Sequence, residues 1–221
     1  GDHQILSTSP ERFLLLDDNG NVSTRPIKGT APRGKTPAED KSIAQILSAS
    51  EKDRSENIMI TDLLRNDLSK VCTPDSIKVH KLCGLETYPT VHHLVTVIEG
   101  KLQKDLTALD LLEACFPGGS ITGAPKIRAM QIIYELEPTP RGPYCGSIGY
   151  IGFNGVMDTS IVIRTLLVQN NTISYQAGGA VVLDSSPEKE YEETLTKSAS
   201  IRRVLSSDNL IQGVTNDFST R

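Results

Sequence analysis

No Cys-x-x-Cys pair occurs in the 221 residues, and the four cysteines, Cys72, Cys83, Cys115 and Cys145, lie far apart. That spacing disfavours a disulfide framework or a zinc site and fits buried thiols in a reducing cytosol, so a cytoplasmic protein is expected. No apolar run approaches the roughly 18 residues that span a bilayer. An excess of basic charge is also lacking: 23 Lys+Arg against 27 Asp+Glu leave a net −4, whereas a nucleic-acid partner would favour a basic face. No internal repeat, low-complexity run or linker divides the chain, so residues 1–221 are expected to form one domain with ample length for a packed core. What is present, 38% hydrophobic and 23% charged residues, is ordinary for a globular protein.

The opening reads as a β-hairpin: "SPERFLLLDD", then Asn19-Gly20, then "NVSTRPIK". Asn-Gly suits a two-residue turn in which both residues take positive φ. That register sets Glu11 opposite Lys28. A helix is expected over "TPAEDKSIAQIL", with Thr36 and Glu39 spaced as a capping box and Pro37 at the first helical position. A second runs through "EKDRSENIMITDLLRNDLSKV", followed by strands in "DSIKVHKLCGL" and "VHHLVTVIEGKL". After "GGSITGAPK", the residues Ile127, Met130, Ile133 and Leu136 recur at helical spacing. Three strands come next, "CGSIGYIGF", "DTSIVIRTLLV" and "TISYQAGGAVVLD", joined at Asn154-Gly155 and at "QNN". A helix from Pro187 to about Leu205, capped by Ser185 with Glu188, closes the sequence. Meandering antiparallel strands with flanking helices define an α+β class.

Several residues could carry chemistry. Directly opposed side chains stand roughly 4.5–5.5 Å apart at Cβ, so Glu11 and Lys28 would form either an exposed salt bridge or an acid–amine pair in a site. In "SIVIRTLLV", Ile161, Ile163 and Leu167 line one face, and Val162, Leu166 and Val168 line the other with Arg164 among them. A strand apolar on both faces is covered on both, and a buried guanidinium needs an anion. An internal carboxylate and a ligand carboxylate are equally good candidates for that anion. "GGSITGAPK" places glycines and Ser120 before a helix start, where backbone N–H groups can cradle an anion. "QAGGAVV" offers either a second close approach to a ligand or a β-bulge. Glu190 and Glu193 share one helix face, as do Asp53 and Glu56. First-turn acids such as Glu188 and Glu190 are commonly surface residues that favour the helix dipole. One carboxylate from each helix, with waters and substrate oxygens, would suit Mg²⁺. His92-His93 has no second histidine at metal spacing, so a hydrogen-bonding role is expected.

Together, "SPERF", "RPIKGT", "DRSENIMITDLLRNDLSKV", "HHLVTVI", "FPGGSITGAPKIRAMQII", "GPYCGSIGYIGFNGVMDTSIVIRTL" and "AGGAVVLDSSPEKEYEET" resemble the chorismate-utilising enzymes over nearly the whole chain, in order. These include anthranilate, aminodeoxychorismate, isochorismate and salicylate synthases. The resemblance implies the chorismate-binding fold and a C-terminal catalytic part whose N-terminal region is missing. It also points to a branch. Anthranilate synthases carry alanine where Lys28 stands, and the lysine form is similar to the aminodeoxychorismate synthases, which serve para-aminobenzoate and folate synthesis.

The resemblance further implies roles for single residues. Lys28 would be a nucleophile and Glu11 its acid partner. Mg²⁺ would be held by Glu56 and Glu193, with Glu190 beside them. Gly29, Thr30, His93, Ser120, Tyr150, Arg164, Gly178, Gly179 and Lys197 would bind chorismate. Lys28 would attack C2 while Glu11 protonates the departing C4 hydroxyl. Ammonia from a glutaminase subunit would then enter at C4 and expel the lysine. Attack requires a neutral lysine, which a desolvated pocket near Mg²⁺ favours. The sequence departs from the family pattern at Ala180, where glycine is frequent, and in a first hairpin one residue longer, which would shift the Glu11–Lys28 register.

Overall fold

The computed structural model describes residues 2–183 and 185–206. In chain order the elements are β1 (His3–Ser7), β2 (Arg12–Leu16), β3 (Asn21–Thr24), β4 (Ile27–Pro32), α1 (Pro37–Ala49), α2 (Glu51–Ser69), β5 (Lys78–Thr87), β6 (Val91–Lys101), α3 (Ala108–Cys115), α4 (Lys126–Leu136), β7 (Ser147–Ile151), β8 (Met157–Ile161), β9 (Thr165–Gln169), β10 (Thr172–Tyr175) and α5 (Pro187–Leu205). They gather into two compact units: 11–161, and the described parts of 1–10 and 162–221. Among the described residues every strand pairing is antiparallel, in keeping with the α+β class.

In the larger unit the sheet runs β4-β6-β3-β2-β8-β7, with β5 also on β6. The length of β6 explains this order. Along one edge it pairs first with β4 and then with β3, and along the other with β5. Helix α2 packs on β4 and β6 and buries Ile60, Leu64 and Leu68 at helical spacing. Leu14, Leu94, Ile98, Leu111 and Met157 are wholly enclosed, each burial contributing roughly 1.5–3 kcal/mol. In the smaller unit, β1, β9 and β10 form a sheet in the order β1-β9-β10, and α5 completes the described part.

Turn chemistry differs from the expectation in an instructive way. Asn19-Gly20 does not make a two-residue turn. Asp17 N donates to Asn21 O at 3.0 Å, and Gly20 takes φ +78°, so the loop is Asp18-Asn19-Gly20. Asn154-Gly155 behaves alike, with Gly152 N on Val156 O at 2.8 Å and Gly155 at φ +83°. A type I turn followed by one left-handed glycine is the common three-residue hairpin. The two-residue turn falls instead to Asn170-Asn171, with φ +50° and +59°, between the paired Gln169 and Thr172.

The expected strand "DTSIVIRTLLV" is broken. β8 ends at Ile161 and β9 begins at Thr165, because Arg164 takes φ +50° and leaves the extended region. Arg164 is therefore half-buried at a corner and not set within a doubly covered strand. At α1 the Thr36 hydroxyl accepts from Glu39 N, but the Glu39 carboxylate reaches back to Lys35 N at 2.8 Å, one residue beyond the capping-box partner. The α5 N-cap is Ser186, one residue after the expected Ser185, whose hydroxyl bonds Glu190 Oε1 at 2.6 Å. Helix α3 was not expected, although Thr107 and Asp110 complete a reciprocal capping box there. Helix α4 forms as expected, yet none of its residues is buried.

All four cysteines are free and buried. Burial pushes the Cys72 thiol up to about 11, and that of Cys115 up to about 12, so both remain protonated at neutral pH. Among the described residues no helix is long and apolar enough to cross a membrane.

Candidate active site

The "RPIKGT" segment forms the start of β4. Lys28 pairs with Leu94 and Thr30 with His93, which leaves Gly29 as the extra residue of a bulge at φ +79°. A bulge re-aims neighbouring side chains, and only glycine adopts this conformation without strain. Glycine is also needed for room: a Cβ there would lie 3.1 Å from Asp53 Cβ and Leu47 Cδ1, where α1 and α2 close over the strand. Lys28 is half-buried, and its Nζ donates to the Ser120 carbonyl at 3.4 Å. Thr30 Oγ1 meets His93 Nδ1 at 2.8 Å, and the His93 ring stands edge-on to Tyr88 with centroids 5.8 Å apart.

Glu11 is buried just ahead of β2, its carbonyl accepting from Ile161 N at 3.0 Å. The expected cross-strand pairing with Lys28 does not hold. The three-residue turn shifts the hairpin so that Leu16 faces Val22 and Leu15 faces Ser23. Beyond Thr24 the chain passes through Arg25-Pro26 and pairs with β6 as β4, so Lys28 faces Leu94 while Arg12, next to Glu11, faces Ser160 of β8.

Ser120 lies in a short 3-10 turn, Gly119–Ile121, packed tightly against its surroundings. A Cβ on Gly118 would come within 2.7 Å of Ile161 Cδ1, and one on Gly119 within 2.9 Å of Leu63 Cδ2. The far end of this loop is anchored by Lys126, whose Nζ donates to the enclosed Asp67 carboxylate at 2.5 Å and to Cys115 O at 2.9 Å. Asp67 also receives Lys70 at 2.8 Å.

Two further candidate residues belong to the larger unit. Glu56 is half-buried on α2, with Lys52 Nζ 4.0 Å away. Tyr150 is 60% exposed on β7, opposite Asp158.

In the smaller unit the glycine loop and α5 come together. A Cβ on Gly179 would lie 3.0 Å from Glu190 Oε2 and 3.6 Å from Glu193 Oε1, so only hydrogen separates that backbone from two carboxylates. Lys197 Nζ bonds Glu193 Oε1 at 2.6 Å and the Gly178 carbonyl at 3.2 Å. Arg164 is fixed through its own carbonyl, which accepts from Thr8 N at 3.2 Å and Thr8 Oγ1 at 2.9 Å. Two carboxylates on one helix face form an all-oxygen donor set that fits a hard cation such as Mg²⁺, which takes one or two carboxylates and fills its shell from water and substrate. Among the described residues no group of three or more His, Cys, Asp or Glu side chains is gathered as a metal site.

Sequence reasoning missed the buried polar network beside Thr30. His92, not His93, is the enclosed histidine, because alternation turns the two to opposite faces. Its Nε2 meets Asp40 Oδ1 at 2.9 Å and its Nδ1 meets Thr87 Oγ1 at 2.9 Å. Arg33 clamps Asp40 with two bonds of 2.8 Å. That clamp, with the Gly34 N–H and His92, holds the Asp40 carboxyl well below the usual carboxylate range. Asn57 was missed as well: fully buried on α2, it donates to Leu94 O at 3.3 Å and accepts from Thr96 Oγ1, which ties the helix to the strand opposite Lys28.

A model of the chorismate binding enzyme family matches residues 1–203. Aminodeoxychorismate synthase component 1 of Escherichia coli strain K12 is 56% identical over 201 residues, 91% of this chain and 44% of that protein. The protein of the same name from Salmonella typhimurium strain LT2 is 54% identical over 204 residues, 92% of this chain and 44% of that protein. Anthranilate synthase component I from Streptococcus pneumoniae TIGR4, known as a crystal structure, superposes with a TM-score of 0.81 at 42% identity, covering 91% of this chain and 44% of that one. The chain thus spans a little under half the length of each of these three proteins.

Proposed function

The chain belongs to the chorismate-binding enzyme family, and from that premise we propose that it supplies the chorismate chemistry of an aminodeoxychorismate synthase component 1, converting chorismate and ammonia to 4-amino-4-deoxychorismate. The observation that carries this reading is Lys28: a half-buried lysine on a bulged strand, its amine directed at a fixed carbonyl. Two relatives of that name, 54% and 56% identical to this chain, support it.

In the mechanism that follows, the Lys28 amine forms a bond to C2 of chorismate. The ring double bonds shift, the C4–O bond breaks, and the hydroxyl leaves as water with a proton from Glu11. Ammonia then bonds to C4, the double bonds shift back, and the C2–N bond breaks to release Lys28. Splitting one displacement into two is the gain from a covalent nucleophile, and proton delivery to the leaving group typically contributes about 10²–10⁴-fold. Mg²⁺, which Glu56 and Glu193 would hold with Glu190 beside them, would neutralise a substrate carboxylate and orient the ring. Thr30, His93, Tyr150, Arg164, Lys197 and the backbone at Gly29, Ser120, Gly178 and Gly179 would hold the substrate. Ammonia would come from a glutaminase subunit, a reading supported by the words "component 1" in the relatives' names.

A second reading, anthranilate synthase, is favoured by the likeness to the Streptococcus pneumoniae structure. Incubating the chain with chorismate, Mg²⁺ and ammonium and identifying the product separates the two. The 4-amino product supports the proposal, an ortho-amino product selects the second reading, and isochorismate rejects both. Replacing Glu193 by Gln should raise the Mg²⁺ requirement; an unchanged requirement would remove it from the ligand set.

A further inference from the structure

Lys28 can only act as aimed if its acceptor stays in place, and that acceptor is a backbone carbonyl in a loop. A neutral amine has two N–H bonds and one lone pair. Donating one hydrogen to the Ser120 carbonyl, 3.4 Å away, restricts rotation about the Cε–Nζ bond and turns the lone pair away from that carbonyl. The contact is long, so a small drift of the carbonyl would break it.

The next peptide unit is held by a side chain from outside the loop. Arg141 Nη1 donates to the Ile121 carbonyl at 2.8 Å. The guanidinium is itself locked by Glu137, which accepts from Nε at 2.8 Å and from Nη2 at 2.6 Å in a two-point fork. Glu137 is the C-cap residue of α4, so the end of this helix grips the turn that carries Ser120. Gly118 and Gly119 are packed closely against Ile161 and Leu63. The turn is thereby held by that packing and by one guanidinium.

We infer that Arg141 is a positioning residue for Lys28, acting through the Ile121 and Ser120 carbonyls, with Glu137 holding the guanidinium in line. The inference rests on the reading of Lys28 as the reactive amine, but it can be tested without the reaction.

The test uses the full 221-residue chain and the variants Arg141→Gln, Arg141→Lys and Glu137→Gln. Each is treated with a small amine-acylating reagent, and the labelling of Lys28 is measured by peptide mass spectrometry relative to the exposed Lys104 of the same molecule. The weight of one hydrogen bond gives the expected size: the Lys28/Lys104 labelling ratio rises about threefold in Arg141→Gln. Lysine keeps the charge but not the fork, so Arg141→Lys restores the ratio only partly. Turnover of chorismate moves the opposite way, with kcat falling about tenfold while KM stays within about twofold, because a misaimed group loses rate rather than binding. A purely structural role would lower the melting temperature and scale all lysines together. Unchanged Lys28/Lys104 ratios in the variants overturn the inference. If the unmodified chain gives no turnover, the proposed function fails and the labelling ratio still decides the positioning role. If Arg141→Gln does not fold, Glu137→Gln, which keeps the arginine and weakens only its fork, gives the deciding ratio.

Discussion

At the scale of single residues, the proposed chemistry rests on a few side chains whose surroundings can be stated. Lys28 sits beside a glycine that must be glycine both for its φ and for the space left by Asp53 and Leu47. Replacing Lys28 by Ala should abolish any chorismate-derived mass added to the chain and remove most 4-amino product, with ammonia turning to C2 in what remains. Intact-mass spectrometry and product chromatography check this, and wild-type turnover in the variant would remove Lys28 from the mechanism. Asp40 makes a different kind of prediction. Its carboxyl is depressed chiefly by the Arg33 hydrogen bonds, then by the Gly34 N–H and by His92. A depressed carboxylate stabilises the fold fully above its unfolded value of 3.8, and that stabilisation fades as pH falls through the lower folded value. Denaturation midpoints taken from about pH 6 down to pH 2 should therefore fall more steeply for the native chain than for Asp40→Asn. Parallel curves would show that the Arg33–Asp40–His92 network contributes no pH-linked stability.

At the scale of elements, α1, α2, α4 and α5 were legible because capping signals and the 3.6-residue period are local: Thr36-Pro37 opens α1, and Ile127, Met130, Ile133 and Leu136 recur along α4. Helix α3 was not, although Thr107 and Asp110 cap it. Turn lengths were less legible, since Asn-Gly satisfies both a two-residue turn and the end of a three-residue one, and strand pairing decides between them. The break at Arg164 was invisible, because Val162, Ile163 and Arg164 carry no breaker and the Arg164 carbonyl is bonded by Thr8, 156 residues away. The same distance in sequence hid the polar supports of the candidate site: His92 and Asp40 are 52 residues apart, and Lys126 and Asp67 are 59. What could be read was the compact "RPIKGT" motif, which carries Lys28, Gly29 and Thr30 within six letters. Two substitutions test the local devices. Thr107→Ala removes the α3 capping box and should cost about 1 kcal/mol. Gly20→Ala forces a side chain into the left-handed region and should cost about 1–2 kcal/mol. Urea unfolding measures both. A loss below a few tenths of a kcal/mol in either would mean that the turn or cap forms equally well without that residue.

At the scale of the whole chain, the notable quantity is how much large apolar surface the larger unit leaves open. Strand β7 ends the sheet order, so its outer edge presents backbone donors and acceptors that no strand among the described residues pairs. Tyr150 and Ile151 on that strand and Phe153 in the turn beyond it are exposed, and α4 exposes Ile127, Tyr134 and Leu136. An unpaired edge flanked by apolar side chains is a template for association. A net charge of −4 on 221 residues offers little repulsion against it. The isolated chain is therefore expected to self-associate in a concentration-dependent way. Sedimentation velocity across a dilution series measures this directly. The paired substitution Ile151→Lys with Phe153→Lys, which places charge at the sheet edge without touching the Lys28 cluster, should shift the chain toward monomer and leave its unfolding transition sharp. A native chain that remains monomeric throughout the series would show that these side chains are too dispersed to form a common contact, and the edge argument would then fail.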